Sequence, residues 1–180
     1  MPEHKEEKIE GKIQYKGKVI DLALDTVRLE NGRTATREVV IHHGGACVLA
    51  FNEKDEIALV RQFRYAAGRE LLELPAGKLE AGENPLQAIE REIVEEIGYQ
   101  ALDMKPFGQI IPTCAYCTEI IYIHRAEQLL KAEQKLDADE FLDVLWLPFA
   151  KALEMVLAGE ITDAKTCYAI LKETALRGRE

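Results

Sequence analysis

The stretch GKLEAGENPLQAIEREIVEEIGY, residues 77–99, decides how this chain is read. Its apolar residues Leu86, Ile89, Ile93 and Ile97 recur at spacings of three and four, which lays one buried stripe along an α-helix. Pro85 suits the first helical position, because its fixed φ fits a helix and its missing N–H would have no partner there. Gly98 suits the stop, where a left-handed residue closes the last turn. At about 100° per residue, Glu92, Glu95 and Glu96 cluster on a face beside the stripe, with Arg91 at its margin. Glu92 and Glu96 are like charges four apart, which costs roughly 0.2–0.5 kcal/mol, and no lysine follows on that face. A solvated acidic face is the commoner explanation of a charge run. Here a divalent cation would relieve the repulsion, and oxygen-only ligands suit Mg²⁺, with Mn²⁺ as a substitute.

Working outward, residues 71–74 form an extended segment that Pro75 and Gly77 end before the helix. The apolar runs 46–51 and 57–60 flank a polar turn and predict a hairpin. Residues 9–43 alternate in the strand manner, and Asn31-Gly32 predicts a tight turn. This opening meander is short of large side chains, so it is expected to pack against something other than itself, a partner subunit being one candidate. Downstream, strands are expected at 107–111, 119–124 and 141–147, and helices at 151–157 and 163–176. The sum is an α/β fold: an α/β/α sandwich on a mixed β-sheet with an N-terminal antiparallel β meander. The expected division is residues 1–43 as strands that serve dimerisation and 44–180 as the catalytic domain.

The totals agree with a globular protein, since 180 residues with 47% apolar and 31% charged side chains can bury one core of ordinary size. Acidic residues outnumber basic ones, 32 to 23, and the net charge of -9 argues against a general grip on nucleic-acid phosphates or anionic membranes. The opening MPEHKEEKIE lacks the apolar core of a secretory signal, and no run approaches a membrane span, so a cytoplasmic address is the expectation. Cys47, Cys114, Cys117 and Cys167 then read as reduced thiols. Cys114 and Cys117 have metal or redox spacing without the second pair that a zinc site would need.

Gly77, five residues, Glu83, seven residues and then Arg91-Glu92-Ile93-Val94-Glu95-Glu96-Ile97-Gly98-Tyr99 resemble the signature of the Nudix hydrolases, with Tyr99 where that signature carries an aliphatic residue. The resemblance implies metal-dependent hydrolysis of a phosphoanhydride bond. It implies Glu92 and Glu96 as principal metal ligands, joined by Glu95 and by the Ala76 backbone carbonyl, with Glu83 holding Arg91 in an ion pair. Arg37-Glu38-Val39-Val40 and the segments 60–66, 72–77 and 159–166 resemble the branch that acts on ADP-ribose and other nucleoside diphosphate sugars. That likeness implies a small-molecule nucleoside diphosphate as partner, split to AMP and ribose 5-phosphate in the ADP-ribose case, and a homodimer whose N-terminal strands pair or exchange. Arg64 would contact the diphosphate or a ribose, with Glu73 in the same substrate segment, while Arg37 and Glu38 would lie near the adenine.

Where that branch commonly carries Ser-Pro-Gly-aromatic, this chain has Thr113-Cys114-Ala115-Tyr116, and Tyr116 is a candidate to stack on a base or ribose or simply to pack. The general base is expected to be Glu140, on the acidic segment 136–141, with Asp139, Glu119 and Glu95 as competitors. Two other functions stay open: hydrolysis of another nucleoside diphosphate or triphosphate derivative, and a catalytically silent nucleotide-binding regulator.

Overall fold

The computed structural model describes residues 4–136 and 140–179. The chain forms two compact units, one of the residues up to Gly44 with Ile111–Ile120, the other of Gly45–Ile110 with the residues from Ile121 on. In the first, strands β1 (Glu7–Lys16), β2 (Asp21–Arg28) and β3 (Thr34–Ile41) make an antiparallel meander. Asn31-Gly32 turns the chain between β2 and β3: Gly32 sits at φ 79°, a left-handed position that only glycine takes freely, and its N–H donates to the Leu29 carbonyl at 2.9 Å. The strands have little of their own to bury. Every residue of β1 is exposed, including Ile9, Ile13 and Tyr15. The segment from Ile111 is pinned along the end of β3, where the Val40 N–H donates to the Tyr116 carbonyl at 2.7 Å and the Thr118 N–H donates back to Val40 at 3.0 Å.

The second unit holds β4 (Gly45–Ala50), β5 (Glu56–Arg64), β6 (Arg69–Glu73), β7 (Ala76–Lys78), α1 (Pro85–Ile97), β8 (Tyr99–Ile110), β9 (Ile121–Lys131), β10 (Leu142–Pro148), α2 (Phe149–Leu157) and α3 (Ala164–Arg177). One sheet has the order β7-β4-β9-β8 and is mixed, with β4 and β9 parallel and the outer pairs antiparallel; the other is antiparallel with the order β10-β5-β6. Strand β4 shows why helices cover both faces. Its side chains alternate, so Ala46, Val48 and Ala50 pack with Ala88, Ile89 and Ile93 of α1, while Cys47 and Leu49 pack with Ala152 of α2 and Ala169 and Ile170 of α3. Strand β5 splits in the same way, Ala58 and Val60 toward α1, Ile57 and Leu59 toward the other core. Each buried Val, Leu or Ile among them contributes about 1.5–3 kcal/mol relative to exposure.

The expected hairpin of 46–51 and 57–60 does not form. Apart from one bridge at Phe51 and Ile57, β4 and β5 diverge into different sheets, because β7 and β9 already occupy both edges of β4. Two all-apolar runs signal burial on both faces, and that pattern carries no information about which strand is the neighbour. Tyr99 opens β8 directly after the helix and packs edge-on against Trp146, ring centres 5.4 Å apart.

Candidate active site

Helix α1 begins with Asn84, whose side chain accepts the Leu86 N–H at 2.9 Å, and it ends at Gly98, φ 70°, whose N–H reaches the carbonyls of Ile93 and Val94. These caps fix the register that turns Glu92 and Glu96 inward. Both are buried, Glu96 to 2% exposure, although the sequence pattern placed them beside the apolar stripe rather than within the protein. Glu96 accepts the Ala76 N–H at 2.8 Å, which ties the helix to β7. Gly77 is needed for the same approach: a Cβ there would lie 1.9 Å from a Glu92 oxygen. Its φ is not positive, so what glycine supplies at this position is room for a carboxylate, not a special turn.

Arg91 does more than sit at the margin. Its guanidinium donates to Glu92 at 2.9 Å and to Glu95 at 2.8 Å, and it lies 3.6 Å from Glu83. The like-charge repulsion is therefore partly answered by a cation of the helix itself. Burial pushes the Glu92 carboxyl above the ordinary range, against the pull of Arg91, and the charges of Glu95 and Glu140 add to the rise. Burial pushes Glu96 further, to about 8, against the Ala76 N–H that favours its ionised form, with Glu92 and Glu140 adding repulsion. Glu140 is half-buried and acts electrostatically on both glutamates, while its competitor Asp139 lies outside the described residues.

Among the described residues, no three of the His, Cys, Asp and Glu side chains converge as a formed metal centre, and Arg91 occupies oxygens of Glu92 and Glu95. The donor set nevertheless fits a divalent cation. Three carboxylates crowd one helix face, one is buried without an ion-pair partner among the described residues, and the glycine loop leaves space for another.

A second charged group lies behind the loop. Arg64 at the end of β5 forks onto Glu73, donating at 2.7 and 2.8 Å, and Lys165 of α3 donates to the same carboxylate. Lys165 also lies 3.1 Å from Asp163, the N-cap of α3. Burial opposes the charge on Glu73, yet Arg64 and Lys165 together hold its carboxyl below the ordinary range. Glu73 is only 2% exposed, so it faces Arg64 and not solvent. Sequence reasoning gave no role to Lys165, Asp163 or Thr166; the likeness of 159–166 to relatives was the signal, and it carried no geometry.

Arg37, Glu38 and Tyr116 belong to the other unit. There the Arg37 guanidinium is held by Glu6, Glu38 is exposed on β3, and Tyr116 is exposed on the segment that pairs with Val40. In the same unit the Nδ1 of His42 accepts the Gly44 N–H at 2.9 Å and lies 3.6 Å from Glu119. The four cysteines are free thiols, with Cys47 pushed to about 12 by burial. No helix of the described residues is long and apolar enough to cross a membrane.

Comparison with known proteins gives a consistent result. The NUDIX domain matches residues 41–167. The chain is 42% identical over 168 residues to an ADP-ribose pyrophosphatase of Bacillus subtilis (strain 168), covering 92% of this chain and 91% of the relative. It is 37% identical over 158 residues to a methanol dehydrogenase activator of Bacillus methanolicus, covering 87% and 85%. A crystal structure of an ADP compounds hydrolase shares the fold at a TM-score of 0.85, with 18% identity and coverage of 99% of this chain and 98% of that one.

Proposed function

The chain belongs to the Nudix family and is a pyrophosphohydrolase, and we propose that it cleaves the diphosphate linkage of ADP-ribose, or of a closely related nucleoside diphosphate sugar, to AMP and the sugar phosphate. The observation that carries this reading is the buried pair Glu92 and Glu96, set against the Gly77 loop with Glu96 fixed by the Ala76 N–H. Glu92 and Glu96, with Glu95 and the Ala76 carbonyl, would hold Mg²⁺ or Mn²⁺. Bound there, the cation supplies positive charge against the diphosphate and makes water a stronger acid.

The chain's own side chains do the rest. Arg91, held from the other side by Glu83, keeps the carboxylate oxygens from repelling one another out of position. Arg64 turns its Nε and Nη2 toward Glu73, which leaves Nη1 for a phosphate oxygen, and its side chain is 41% exposed. In this reading Glu73 acts through Arg64 and does not touch substrate. As the water oxygen bonds to phosphorus and the bridging phosphorus–oxygen bond breaks, Glu140 accepts the water's proton. Arg37, Glu38 and Tyr116 take the adenine and ribose, within a homodimer to which the exposed β1 contributes. Free cysteines fit a reducing, cytoplasmic setting.

Incubation with ADP-ribose, other nucleotide sugars, dinucleotides and nucleoside triphosphates, followed by chromatographic identification of products, tests the substrate. AMP and ribose 5-phosphate as dominant products from ADP-ribose are expected. Preference for another diphosphate would keep the chemistry and remove the assigned roles of Arg64 and Tyr116. The relative named as an activator supports a second reading, in which the chain acts on another enzyme; binding of nucleotides without turnover would favour it.

A further inference from the structure

We propose that Thr166 is a positioning residue for the Glu96 carboxylate, acting through the backbone of Glu73-Leu74-Pro75-Ala76. The inference rests on the reading of Glu96 as a metal ligand.

Two consecutive residues of α3 hold two consecutive residues of the crossover that leads into the catalytic loop. Lys165 donates to the Glu73 carboxylate, and Thr166 Oγ1 accepts the Leu74 N–H at 2.9 Å. Leu74 and Thr166 are both fully buried, so without that hydroxyl the Leu74 N–H has no water to turn to. Thr166 is itself fixed, because its hydroxyl donates to the Asp163 carboxylate at 2.5 Å and its N–H donates to the same oxygen at 3.1 Å. Pro75, lacking an N–H, contributes its carbonyl to the Val48 N–H at 3.0 Å. The next residue with a free donor is Ala76, and its N–H goes to Glu96 at 2.8 Å.

The donor that orients Glu96 therefore stands two residues beyond a backbone anchor provided by α3. Pro75 between them has one fixed backbone angle, so a shift at Leu74 is passed on to Ala76. Among the described residues Glu96 has no ion-pair partner, Arg64 acting on it only at longer range, and this N–H is the hydrogen bond that orients it. Lys165 and Glu73 guard the same crossover from the charged side, which sets Arg64 and Glu96 relative to one another from a single helix end.

The test is calorimetric titration of the full chain with Mn²⁺ alone, well below the melting temperature, for wild type, Thr166→Val, Thr166→Ser and Glu96→Gln. Glu96→Gln should abolish most of the binding. Thr166→Val should weaken Mn²⁺ binding about 10–100-fold, the range for removing a residue that orients a metal ligand, and Thr166→Ser should restore it. A merely structural role would lower the melting temperature of Thr166→Val and leave its Mn²⁺ affinity at the wild-type value; that result overturns the proposal while the metal site stands. Equal weakening in the Ser and Val variants also overturns it, since the hydroxyl would then not be the cause. Wild-type affinity in Glu96→Gln overturns the metal assignment and the proposal with it. If Thr166→Val fails to fold, Thr166→Ala removes the same acceptor without adding volume and carries the same outcomes.

Discussion

At the scale of single residues, Gly77 and Glu140 make the sharpest claims. Gly77→Ala puts a methyl group where a Glu92 oxygen now lies, and because the backbone there is ordinary, the side chain must move and the fold need not. Turnover is expected to fall about 10–100-fold, as for loss of a ligand's supporting geometry, with stability within about 1 kcal/mol of wild type; steady-state kinetics and thermal melts of one preparation check both. A large loss of stability with normal turnover would contradict this account. Glu140→Gln is expected to lower kcat about 10²–10⁴-fold with little change in KM, the usual contribution of a general base, and near-normal turnover would take the role away from it. The sequence put Glu92, Glu95 and Glu96 on one helix face, because their spacing on one helix is a local property. It did not show that Glu92 and Glu96 are buried, that Arg91 bridges two of them or that Glu73 faces inward, since those depend on β7, β5 and α3, which the chain brings up from a distance.

At the scale of elements, the junction of α3 with β6 is a buried ion group whose sign with pH can be stated. The Glu73 carboxyl lies below its ordinary value of 4.5, so its contribution is present above that pH and is lost as the pH falls through the folded value. The Lys165 amine is raised above 10.5: burial opposes its charge, but Asp163 and Glu73 outweigh it, so its contribution is lost only as the pH rises through that higher folded value. Lys165→Met leaves Glu73 buried with Arg64 alone and should cost about 3 kcal/mol near pH 7, the lower end for breaking a buried pair. Thermal melts of variant and wild type should converge as acid protonates Glu73. A gap that stays constant from pH 7 to the acid side would contradict the assignment. The helices and most strands were legible, since their starts, stops and periodicities are written in adjacent residues, Pro85 to Gly98 being the clearest case, whereas the Asn84 cap came from the structure. Strand partners were not, and β4 with β5 shows why: both are apolar on both faces, so nothing in either run distinguishes a hairpin from two sheets.

At the scale of the whole molecule, the meander of β1, β2 and β3 carries an unfinished surface, with Ile9, Ile13, Tyr15 and Leu24 exposed and no residue of β1 buried. A homodimer that covers these strands predicts sedimentation at twice the 20.3 kDa of the chain at micromolar concentration, and a species at the chain mass would remove it. The alternating pattern made the strands legible in the sequence, whereas what lies against them is a property of the assembly. The proposed chemistry rests on the glutamates of α1 serving a metal-dependent pyrophosphohydrolase. The measurement that tests it most directly is the rate of ADP-ribose cleavage as Mg²⁺ is titrated into wild type and Glu96→Gln. Saturable activation of wild type is expected, with none in chelator and a variant that stays folded while losing more than about 100-fold in rate. Cleavage that proceeds at the same rate in Glu96→Gln, or with chelator present, would contradict it.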